Sequence, residues 1–101
     1  MWNITDKGET IGTLGSESGE IVVDLEHSKG ARLTLEKECV VAPYSITSGV
    51  YGSFFHTTYL STFEKGMEVI NIMKKEISDF LDTETTNEEE HDWITSFVDR
   101  H

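Results

Sequence analysis

At 101 residues the chain is the size of one domain, and its formal net charge of −11 repels phosphate backbones and anionic lipid headgroups. Nucleic acid and membrane surfaces are therefore not the expected partners, and the charge reads either as simple solubility or as complementarity to a basic protein partner. The single cysteine, Cys39, rules out an internal disulfide and suits a reducing, cytoplasmic setting. The first residues show neither a basic stretch nor an apolar core of the kind a secretory signal needs, and no apolar run approaches the ~20 residues that span a bilayer.

The two parts of the chain differ in period. Residues 1–60 hold seven of the eight glycines and the only proline, the punctuation of short strands and turns. Residues 61–101 carry a helical period instead. The expectation is a single α+β domain over 1–101: an N-terminal antiparallel meander of five to six strands, packed by two C-terminal helices.

In chain order, Trp2–Ile4 reads as a short strand closed by the turn Thr5-Asp6-Lys7-Gly8. Thr10–Leu14 reads as a weaker strand, and residues 15–19 as a turn. In residues 20–26, Ile21, Val23 and Leu25 alternate with Val22, Asp24 and Glu26, an apolar face against a mostly polar one, as on a half-buried strand. The turn Ser28-Lys29-Gly30 then leads into Ala31, Leu33 and Leu35, so residues 20–27 and 31–38 form a hairpin. Two further strands are expected near 44–48 and 51–58, with Gly49 and Gly52 marking a turn or bulge.

Ser61 or Thr62 is positioned to cap a helix over about 61–82, with Ser61 and Glu64 spaced as a capping box. Ile70, Met73, Ile77, Phe80 and Leu81 form its apolar stripe. Gly66 weakens this helix unless a close approach to the sheet needs it. A second helix over about 87–100 opens with Thr86 and Glu89, or Asn87 and Glu90, at capping-box spacing, and Glu88, Glu89 and Glu90 meet the positive end of its dipole. Trp93, Ile94, Phe97 and Val98 make its apolar face, with Trp93 and Phe97 expected to anchor it.

No motif for chemistry emerges. The four histidines are not spaced as metal ligands, and neither a nucleophile elbow nor a phosphate-binding loop is present. No metal and no cofactor is expected. Cys39, beside Val40 and Val41, reads as a buried small hydrophobe. The carboxylates Asp24, Glu26, Glu36 and Glu38 read as a solvated outer face.

The unusual stretch is 44–59, which gathers Tyr44, Tyr51, Phe54, Phe55 and Tyr59 around His56. Phe54 and Phe55 point to opposite faces of a strand, so at least one aromatic points away from a single-sided core. Tyr51, Phe55, His56 and Tyr59 are the candidate binding residues. The reading that follows is a small, acidic, non-catalytic protein-interaction domain of inhibitor, immunity or regulatory type. A homodimer is expected, from the surplus aromatics and from a sheet edge left unpaired. The alternative is a small-molecule-binding or enzymatic domain with a pocket around Tyr51, His56 and Tyr59.

Overall fold

A computed structural model describes residues 1–101. Five strands form one antiparallel sheet in sequential order: β1 (Trp2–Ile4), β2 (Glu20–His27), β3 (Ala31–Lys37), β4 (Tyr44–Val50) and β5 (Phe54–Leu60). Two helices follow, α1 (Phe63–Leu81) and α2 (Asn87–Arg100). The α+β meander with two C-terminal helices is thus the architecture, and no helix is long and apolar enough to cross a membrane.

Alternation along the strands divides the sheet into two faces. Ala31, Leu33 and Leu35 of β3, with Ile46 and Val50 of β4, face the helices and meet Val69, Ile70, Met73 and Ile77 of α1 and Phe97 of α2. All ten are buried, and they form the core. At Gly66, α1 approaches the sheet closely: a Cβ there would stand 3.1 Å from Leu35 Cδ1. The missing side chain is what permits the approach. Trp2 ties the short strand β1 to α1, its indole donating to Lys74 O at 3.1 Å and Ser78 Oγ at 2.9 Å.

Both helices begin at caps. The Thr62 hydroxyl accepts from Lys65 N–H at 3.1 Å, so Thr62 rather than Ser61 caps α1, and the Ser61–Glu64 pair is not used. Of the two pairs spaced for a capping box of α2, Thr86 and Glu89 form it.

Four local expectations change. Thr10–Leu14 is not a strand: it contributes only an isolated bridge from Leu14 to Glu20, within a loop that folds across the sheet. The loop backbone bonds Ile21 on both sides, with Gly12 N–H to Ile21 O at 2.8 Å and Ile21 N–H to Thr13 O at 2.9 Å. Between Ile21 and Val23 the register shifts, so Ile21 pairs with Glu36 whereas Val23 pairs with Leu35. This bulge turns Ile21 to the face opposite Val23 and Leu25, where it is buried away from the helices.

The turn between β4 and β5 is residues 51–53, not the region of Gly49. Gly52 takes the positive φ there, +80°. Gly49 lies within β4, and a Cβ on it would overlap the Phe55 ring, so its role is to let that ring lie across the strand. Finally, Cys39 is half-buried, because β3 ends at Lys37 and Glu38 adopts φ +55°. The chain leaves the sheet there, and Val40 and Val41 are exposed. The thiol rests 3.3 Å from Ser45 Oγ.

Candidate functional site: the outer face of the sheet

The face turned away from the helices carries the polar positions of β2 and β3, and the segment 5–19 folds over part of it. Two carboxylates hold that segment, and both are buried. Asp24 accepts from Arg32 Nε at 2.9 Å and Nη2 at 2.6 Å, from Thr34 Oγ1 at 3.0 Å and from Thr5 Oγ1 at 3.2 Å. Burial works against its ionisation. The paired guanidinium of Arg32 and the hydroxyl donors outweigh burial and hold the carboxyl below its ordinary value. The same pairing keeps Arg32 more firmly protonated than usual.

Glu36 accepts from Glu17 N–H and Gly19 N–H, each at 3.1 Å. Its carboxylate occupies the space where a Cβ of residue 15 would be, so the loop closes over Glu36 only with glycine at that position. Asp24 and Glu36 are therefore interior anchors, which corrects the expectation of a solvated acidic face. The signal in the sequence was faint: two acidic residues at polar-face positions of adjacent strands, with a glycine-rich loop upstream to supply N–H donors.

Beyond this covered region the outer face is open. Loop residues Leu14 and Ser16, strand residues Ile21, Arg32, Thr34 and Thr47, and the ring of Phe55 surround a hollow of about 500 Å³. Ser16 Oγ and Thr47 Oγ1, 3.4 Å apart, bridge loop and sheet. Phe55 is 66% exposed and walls the hollow on the β5 side.

Of the four candidate residues, the structure brings three to this face. Tyr51 sits in the turn after β4, 46% exposed, its ring 6.5 Å from that of Phe55. Its hydroxyl donates to Glu26 Oε2 at 2.9 Å. Tyr59, 52% exposed, donates to Glu17 Oε1 at 2.7 Å. Burial and the Glu26 carboxylate raise the Tyr51 phenol above its ordinary value, and the Glu17 hydrogen bond does the same for Tyr59. Both hydroxyls stay protonated and hold their carboxylates in place.

His56 is not with them. It alternates to the helix side of β5, opposite Ser48, and its Nε2 is buried with no hydrogen-bond partner. The hollow lies beside Phe55 and is lined by neither tyrosine and not by His56. Sequence reasoning missed Arg32, Thr34, Thr47 and Leu14, because only the folding of the loop over the sheet places them together.

The resulting surface combines three accessible rings with carboxylates fixed beside two of them. Ring faces and carboxylates both attract cations, so this arrangement suits lysine or arginine side chains. No family model, curated protein or solved structure matches the chain.

Proposed function

We propose that this domain is a non-catalytic interaction module that binds a basic protein partner through the outer face of its sheet. The observation that carries the reading is the row of exposed rings, Tyr51, Phe55 and Tyr59, with Glu26 and Glu17 hydrogen-bonded to the two tyrosines. A field of −11 steers a cationic partner toward the molecule, and the rings and their carboxylates supply the local contact. The unpaired thiol of Cys39 fits a reducing, cytoplasmic location. A homodimer is a further proposal for the same domain.

The test is an amide-resolved NMR titration with an arginine-rich peptide. Shifts should cluster on Tyr51, Phe55, Tyr59 and the loop at Glu17. Phe55→Ser should weaken binding about tenfold, as expected for an aromatic anchor worth ~1.4 kcal/mol. Shifts confined to Glu88–Glu90 of α2, or an affinity indifferent to Phe55→Ser, would overturn the proposal.

A second reading rests on the hollow of about 500 Å³, whose size matches small-ligand pockets. It moves the small-molecule alternative from the surroundings of Tyr51, His56 and Tyr59 to those of Phe55, Arg32 and Thr47. Screening small aromatic carboxylates by the same amide shifts separates it from the peptide reading.

A further inference from the structure

Natural sheets protect their edges with short strands, charges, prolines or bulges, because an unpaired edge is a template for another strand. This sheet protects one edge and leaves the other bare. At the β1 edge the strand is three residues long. At the other edge, β5 runs for seven residues, Phe54 to Leu60, in unbroken register with β4 and with no strand beyond it. Its sequence, Phe-Phe-His-Thr-Thr-Tyr-Leu, contains no lysine, arginine, aspartate, glutamate or proline. In a chain with 19 acidic residues, this seven-residue edge has none.

We infer that β5 pairs antiparallel with β5 of a second copy, across a two-fold axis at Thr57, joining two five-stranded sheets into one. The strand's own sequence argues for this occupant. With Thr57 opposite its symmetry mate, Phe55 stands opposite the second copy's Tyr59, and Tyr59 opposite its Phe55. These are the two most exposed rings of the strand, both on the outer face. Aromatic and threonine cross-strand pairs stabilise antiparallel ladders, and this register sets no like charges opposite each other. The contact is isologous and therefore closes at two chains. It also sharpens the homodimer proposal without depending on the basic-partner reading. In the dimer the row of rings continues from one copy into the next, so the cation-attracting platform is doubled.

A single added strand pair makes a small interface, below about 1,200 Å² in total, so assembly is concentration-dependent. Salt separates the two proposals. Added salt screens the repulsion between two acidic chains and strengthens the dimer, whereas it weakens capture of a basic partner.

The experiment is sedimentation equilibrium of the protein alone at high micromolar concentration. The expected mass is twice 11.4 kDa. Phe55→Lys with Tyr59→Lys sets lysine opposite lysine twice and should return the monomer, although it lowers the overall repulsion. Phe55→Lys with Tyr59→Glu sets lysine opposite glutamate and should restore the dimer. A monomeric wild-type protein overturns the inference. So does a dimer indifferent to the double-lysine change, or one not restored by the lysine–glutamate pair. Thr57→Cys in a Cys39→Ser background supplies an independent reading, since the axis brings the two thiols within disulfide reach. Mild oxidation should give a covalent dimer in high yield, and its absence also overturns the inference.

Discussion

Removing Arg32 leaves Asp24 as a buried carboxylate facing hydroxyl donors alone. Arg32→Met should lower stability by ~3 kcal/mol at neutral pH, the low end for a broken buried pair because the guanidinium is partly reached by water. Urea unfolding measures it. The Asp24 carboxyl lies below its ordinary 3.8 in the folded chain, so the unfolded chain takes up its proton first as pH falls. The pair's contribution is present above pH 3.8 and is lost as pH falls through the lower folded value. The gap between wild type and Arg32→Met should narrow across that acid window. His27 behaves in the same sense at higher pH. Burial, then the nearby positive charge of the Met1 amino group, holds it below its ordinary 6.5. Its contribution is present above pH 6.5 and is lost as pH falls through the folded value, so His27→Gln should flatten the stability profile just below pH 6.5. At Glu36 the sensitive neighbour is a glycine. Gly15→Ala should cost about 1–3 kcal/mol by overpacking against the carboxylate. Faster hydrogen exchange at Glu17 and Gly19 would report the released loop.

Among the elements, α2 depends most on its anchor. Fourteen residues make a helix that is marginal in water by itself, so tertiary contact has to hold it. Trp93 is stacked between Phe80, with ring centres 4.2 Å apart, and Phe97, 5.0 Å away. Phe97 in turn meets Phe54 of β5 at 5.5 Å and is fully buried. The apolar face of α2 is therefore docked on this molecule and not held open for another. Phe97→Ala should cost about 3–5 kcal/mol. Trp93→Ala should cost less, because part of its ring is exposed. Thermal unfolding of the two variants gives the order. The helix is also clasped near Arg100 and His101, which both pair with Glu76 of α1, and by the Thr58 hydroxyl donating to His101 O at 3.0 Å.

Across the whole molecule, charge and shape are divided between the faces of one sheet. The helices take up the apolar side, and the outer side is left to a loop, three rings and a hollow. Because the net charge is −11, association with a cationic peptide should be fastest at low salt and slow steeply as the Debye length shrinks to about 8 Å at physiological ionic strength. Stopped-flow association rates test this. A rate independent of salt would remove electrostatic steering from the proposed function. Phe55→Ser should act instead on dissociation, since it removes a contact and leaves the charge unchanged.

Period and local chemistry determined much of this protein from sequence alone. The period-2 runs at 20–27 and 31–38 marked the central hairpin, the three- and four-residue spacing after 61 marked both helices, and Thr86 with Glu89 marked the start of α2. These features are legible because neighbours in sequence create them. That Phe54 and Phe55 take opposite faces was legible as well, since two successive residues of a strand cannot both face one core; that Phe55 is the exposed one came from the fold. What only the tertiary structure decided was long-range. The segment 10–14 reads as a weak strand, yet it folds as a loop over the sheet, held where Glu36 accepts from Glu17 and Gly19 and Asp24 from Thr5, all more than a dozen residues away. That covering inverts the reading of two carboxylates from solvated to buried. It bends β2 so that Ile21 changes face, and it builds the hollow beside Phe55. His56 and Tyr59, three residues apart on β5, fall on opposite faces by alternation alone, whereas the fold decided that Tyr51 lies in the turn before that strand, beside Phe55.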